Sequence, residues 1–157
     1  MKKMSVILSV SLMILLIFSV VGSGVAEERA TREECLAKTK QAAKLIKDVG
    51  LEKALEKIND MKGPFMWKDS YVFCCEDETG KILAHKAQNI IGFEAKDLRD
   101  VNGKPYFREM FHVANTKGEG FATYMYPRIP GGVPEPKTTY ILKVPDTNII
   151  VGAGFFE

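Results

Sequence analysis

With 157 residues, 22 basic against 20 acidic side chains and a formal charge of +2, the chain has no basic excess to serve as a footprint for nucleic acid or anionic membrane. The length suits one compact domain, large enough for a core without staples. Its three cysteines cannot all pair within one chain, so a fully bridged disulfide scaffold is excluded.

Lys2 and Lys3 precede an uncharged run rich in Leu, Ile and Val from Met4 to Val25, and Gly24-Val25-Ala26 sets small residues at a signal-peptidase site. We therefore expect residues 1–26 to be a signal peptide cleaved after Ala26, and residues 27–157 to form the domain, periplasmic or secreted. The alternative is an uncleaved anchor, because an apolar run of about 20 residues also spans a bilayer. Loss of Lys2 and Lys3 leaves a formally neutral domain. No second apolar segment follows, so no membrane insertion is expected after cleavage.

Next, Thr31 and Glu34 form a T-x-x-E capping box, and Cys35, Ala42, Ile46 and Val49 follow at helical spacing. Gly50 interrupts the pattern, and Leu51, Ala54, Leu55 and Ile58 resume it, which predicts two helices or one with a kink. Gly63-Pro64 ends the helical segment. Tyr71 to Cys75 then reads as a strand, Asp77 to Gly80 as a hairpin turn and Ile82 to His85 as the returning strand. Asn102-Gly103 is a turn before a short helix from Tyr106 to Asn115, with Phe107, Met110, Phe111 and Ala114 on one face. Three strands follow: Gly120 to Tyr126, Thr138 to Val144 and Ile149 to Phe155. Between the first two, Pro127 to Pro136 is too rich in proline for regular structure.

The expected fold class is α+β: a long N-terminal helix packed on a five-stranded antiparallel sheet, with a short inserted helix. Both strand faces are apolar, Tyr140 and Leu142 alternating with Ile141, so the sheet must be covered on both sides. The N-terminal helix covers one face. Irregular loops and the short helix cover the other, and that face is where a ligand cavity is expected. Cys74 and Cys75, neighbours on a strand, point to opposite faces. Cys35 could pair with either, although buried free thiols are the simpler expectation.

An ordered series of short motifs carries a family resemblance: Gly63-Pro64-Phe65 with Trp67 and Asp69; Tyr71-Val72-Phe73 with Asp77 and Gly80; Leu83-Ala84-His85; Ile91-Gly92; Asp100 to Lys104; Gly120, Tyr124 and Pro127; Pro136-Lys137, Tyr140 and Gly152-Ala153-Gly154. From Thr31 to Phe156 the chain resembles the single-Cache extracytoplasmic sensors of bacteria and archaea, which have a PAS-like fold. Lys86 stands where the family usually has proline, and Phe121 and Tyr126 where it prefers tryptophan. The resemblance implies a non-enzymatic sensor of a small organic ligand, typically a short carboxylate. A membrane-bound kinase or chemoreceptor would be the partner that carries the signal onward.

Within those segments the expected ligand-binding residues are Lys137, His85, Tyr124, Tyr126, Trp67, Phe107, Arg128 and Tyr140. Lys137 would face an anion, and His85 would donate to a carboxylate or else be a hydrogen-bonded edge histidine. The tyrosine hydroxyls would fix ligand oxygens, Arg128 would offer a bidentate fork, and Trp67 and Phe107 would form walls. No cofactor and no catalytic residue is expected. Cys75 with His85 or His112 lacks an oxyanion hole or an orienting third group. Glu76-Asp77-Glu78 lacks the spacing of a calcium loop, and the cysteines lack zinc spacing. A different class also fits the sequence: a periplasmic protein-interaction module with no physiological small ligand, working through its N-terminal helix.

Overall fold

The computed structural model describes residues 28–157, so the expected signal peptide lies outside the described residues. Helix α1 (Arg32–Val49) starts at the capping box: Glu34 N donates to Thr31 Oγ1 at 3.2 Å, and Thr31 N donates to the Glu34 carboxylate at 2.9 Å. Gly50, at φ +83°, separates it from α2 (Leu51–Ile58), so the apolar stripe belongs to two helices.

The sheet has six antiparallel strands rather than five. They are β1 (Met66–Trp67), β2 (Ser70–Glu76), β3 (Ile82–Ala84), β4 (Glu119–Pro127), β5 (Pro134–Lys143) and β6 (Ile149–Phe156). The order is β1-β2-β6-β5-β4, with β3 paired to a different stretch of β2. The extra strand arises because the chain reverses at Lys68, φ +48°, and pairs Trp67 with Ser70. The proline-rich segment is shorter than expected as a loop, since Pro127 pairs with Pro134 and Met125 with Pro136. β6 pairs with β5 only from Lys137 onward. The prolines therefore lie where one side of β5 has no ladder that needs their missing N–H.

Strand alternation divides the core into two. Val72, Cys74, Val151 and Ala153 face α1, whose Cys35, Ala42 and Ile46 are buried against them. Tyr71, Phe73, Cys75, Tyr124 and Ile141 face the other way, under helix α3 (Tyr106–Lys117) and its Phe107, Met110 and Phe111. Adjacent Cys74 and Cys75 fall on opposite faces, and all three cysteines are buried and free. Cys35 Sγ lies against Ser70 Oγ at 3.7 Å instead of a second sulfur.

Asp100 holds the turn before α3, its carboxylate accepting from the backbone N–H groups of Asn102, Lys104 and Met125. Within that turn Gly103 adopts φ +79°, and a Cβ there would meet nothing within 4 Å. Gly103→Val is therefore expected to lower stability by about 1–3 kcal/mol through backbone strain alone, with ligand affinity unchanged. Urea denaturation checks the first, and calorimetry the second.

Candidate ligand-binding site

Under α3 the sheet leaves a chamber of about 260 Å³ walled by Phe73, Ile82, Leu98, Phe107 and Met110. A second cleft of about 450 Å³ opens beside the Arg128–Val133 loop, and the two share Tyr71, His85, Tyr126 and Lys137.

Lys137 stands at the junction. It is only 4% exposed, and Nζ lies 4.8 Å from the ring centres of Tyr71 and Tyr126 and 5.1 Å from that of Phe156. Among the described residues Nζ makes no hydrogen bond and has no carboxylate within ion-pair distance. Asp69, a carboxylate whose charge reaches Lys137, is held by Arg128. Burial lowers the Lys137 pKa from 10.5 to about 8. The side chain lies on Gly154, where a Cβ would stand 2.6 Å from Lys137 Cε.

Two hydrogen bonds set the state of His85. Ala87 N donates to Nδ1 at 2.9 Å, so the proton of the neutral ring resides on Nε2, which donates to Tyr71 Oη at 2.7 Å. The Tyr71 hydroxyl that accepts this bond also interacts with the Tyr126 side chain, where the chamber meets the outer cleft. His85 follows β3 instead of lying within it, and its ring N–H is already engaged by the Tyr71 hydroxyl. Burial first, then the Lys137 charge, lowers its pKa from 6.5 to about 4. The folded domain thus keeps the ring neutral where the unfolded chain protonates it. The stability this contributes is whole above pH 6.5 and is lost as the pH falls toward 4, by about 1.4 kcal/mol per unit. His85→Gln is expected to flatten the stability profile between pH 6.5 and 4. Identical denaturation profiles for both proteins would refute this.

The other expected residues divide between the faces. Tyr124 and Tyr126 line the chamber, Tyr124 stacked on Tyr106 at 4.4 Å with its hydroxyl 3.0 Å from Thr139 Oγ1. Phe107 is a wall, edge-on to Phe73. Arg128 lines the outer cleft, but its fork is bidentate on Glu135, at 3.2 and 3.0 Å, and reaches Asp69 at 2.8 Å. It holds carboxylates of the protein itself, not an open fork for a ligand. Trp67 and Tyr140 are misplaced by the sequence reading. Trp67 packs in the α1 core beneath Lys38, and Tyr140 donates to Glu119 at 2.5 Å beside Phe121. Tyr140 is three residues from Lys137 on one strand, so alternation turns it to the opposite face. Tyr71, Phe73, Tyr106 and Thr139 complete the chamber and were missed. For Tyr71, Phe73 and Thr139, alternation with Cys75 and Lys137 on β2 and β5 was the available signal, and for Tyr106 it was the helical spacing to Met110.

Among the described residues no group of His, Cys, Asp or Glu side chains could hold a metal ion. Asp77 bonds Asn115 and Lys143, which serves the hairpin turn.

Three solved structures share this fold. A periplasmic sensor domain of a chemotaxis protein is 22% identical with a TM-score of 0.60, covering 79% of this chain and 88% of that one. A Cache chemosensory domain studied for carboxylic acid recognition is 19% identical with a TM-score of 0.66, covering 79% and 91%. A methyl-accepting chemotaxis protein from Vibrio parahaemolyticus RIMD 2210633 is 22% identical with a TM-score of 0.63, covering 79% and 86%. The family model for the Cache domain matches residues 20–157, most of the sequence, and the chain belongs to the Cache domain family.

Proposed function

We propose that this Cache domain is an extracytoplasmic sensor that binds a small organic carboxylate at Lys137 and signals through a membrane-bound kinase or chemoreceptor. The observation that carries the reading is the buried Lys137 ammonium, with no carboxylate partner among the described residues and a cavity on two sides. A buried unpaired charge is costly, and an entering anion offsets that cost. The Tyr71 hydroxyl, held by His85 at the same junction, is the second polar group that we assign to the carboxylate. Support also comes from the structural neighbours, one a periplasmic sensor domain and one studied for carboxylic acid recognition. Ligand binding in this family is non-catalytic, and we assign no reaction to the chain. Export would follow from the Gly24-Val25-Ala26 site, with Glu27 as the first mature residue, and an intact mass of the native protein tests that.

Calorimetry with acetate, propionate, lactate and pyruvate, each set against its neutral amide, tests the binding reading. Carboxylates are expected to bind and amides not. A ligand of four heavy atoms such as acetate gains at most about 6 kcal/mol. Its dissociation constant is therefore no tighter than tens of micromolar. Binding of neutral solutes alone would defeat the anion assignment and leave the sensor role standing.

A further inference from the structure

We infer that the ligand is a monocarboxylate with an apolar body, an arylalkanoate or a medium-chain fatty acid, whose carboxylate meets Lys137 and Tyr71 while its hydrocarbon fills the chamber under α3. This deepens the carboxylate reading and rests on it. The placement of polarity carries the argument. Lys137, Tyr71, His85 and Tyr126 all lie where the chamber joins the outer cleft. Beyond them the inner chamber is bounded by Phe73, Ile82, Ile90, Leu98, Phe107 and Met110. Of its other hydroxyl-bearing residues, Tyr124 and Thr139 bond each other at 3.0 Å, and Tyr106 stacks its ring on Tyr124. Charge complementarity narrows the class further. Lys137 is the one ammonium or guanidinium among the described lining residues of this chamber, so a second carboxylate on the ligand would go unmatched. No acid lines it either, so the ammonium of an α-amino acid would be buried without a partner.

Size points the same way. An apolar cavity of roughly 150 Å³ stays dry and takes up benzene. At about 260 Å³ the chamber has room for a ring with a short acid arm, and acetate would leave most of it empty. Burial of hydrocarbon in such a space strengthens binding by about fourfold per methylene, which corresponds to about 0.8 kcal/mol.

Calorimetry on the full chain with acetate, butyrate, hexanoate, phenylacetate and 3-phenylpropionate reads this directly. Affinity is expected to rise at least fiftyfold from acetate to hexanoate, with phenylacetate at least tenfold tighter than acetate. Succinate and phenylalanine are expected to bind at least tenfold more weakly than hexanoate. Acetate binding as tightly as hexanoate and phenylacetate would overturn the inference while the carboxylate reading stands. Phenylacetamide binding as tightly as phenylacetate would instead overturn the carboxylate reading, and this inference with it. Ala95→Leu, a substitution that fills the chamber wall, is expected to weaken hexanoate and phenylacetate at least tenfold and to leave acetate within threefold. Equal loss for all three would place the hydrocarbon elsewhere. The wild-type series decides the question even if that variant fails to fold.

Discussion

Lys137→Met is expected to abolish carboxylate binding and, at the same time, to stabilise the unliganded domain. Loss of a charge-assisted contact in a buried site weakens binding by roughly ten- to a hundredfold or more. A role confined to structure would give the opposite sign of stability change. Because burial holds the Lys137 pKa near 8, the folded chain releases a proton that the unfolded chain keeps up to about 10.5. Stability of the unliganded domain therefore rises as the pH climbs from about 8 to 10.5, and at neutral pH the buried charge is a burden on the order of 1–3 kcal/mol. Methionine removes that burden and fills the same space. Carboxylate affinity of the wild type should be level from about pH 6 to 8 and fall up to tenfold per unit above it, because the anion requires the protonated amine. Lys137→Arg should also bind poorly, since a planar fork does not fit the aromatic ring of Tyr71, Tyr126 and Phe156 built around a point charge. Chemical denaturation and calorimetry on the same samples provide both readouts. Wild-type affinity in the methionine variant would remove Lys137 from the site.

Gly154→Ala is expected to damage stability and binding together. A Cβ at that position would meet Lys137 Cε at 2.6 Å and also press on Thr139 Oγ1. Lysine can shift, but Thr139 is fully buried and hydrogen-bonded to Tyr124, so the strand pair must distort. Overpacking of this kind costs about 1–3 kcal/mol. Displacement of the ammonium should weaken carboxylate binding at least tenfold in the fraction that remains folded. A stability change under 0.5 kcal/mol with unchanged affinity would show that Lys137 does not depend on this glycine.

Much of the architecture was legible because local chemistry and tertiary need agree. The capping box at Thr31 and Glu34 marks the start of α1 within a residue, and the glycine at 50 marks its end. Alternation located four of the six strands closely, whereas β1 is only two residues long and carries no period to detect. The beginning of β5 was hidden by Pro134 and Pro136, since proline argues against a strand unless the ladder is known to be one-sided there. The site was legible in its centre and less so at its margins. Lys137, Tyr124, Tyr126, Phe107 and His85 meet at the chamber, but Trp67 and Tyr140 were assigned by motif without regard to which face their strands turn inward. The engagement of Arg128 by Glu135 and Asp69 depends on pairing across the hairpin and on a residue far away in the chain. No spacing rule reveals that.

The position of β6 governs how the molecule is made. It lies between β2 and β5 in the sheet, yet it is the last of the strands in the sequence, and Val72 must find Ala153 across more than half of the described chain. Without Ile149–Phe156, β2 and β5 have no strand pairing that joins them, and α1 loses one of the strands it packs on. Such long-range closure makes folding slower than in a domain built from local contacts. Closure of the sheet therefore waits on Ile149–Phe156, the strand that joins its two halves.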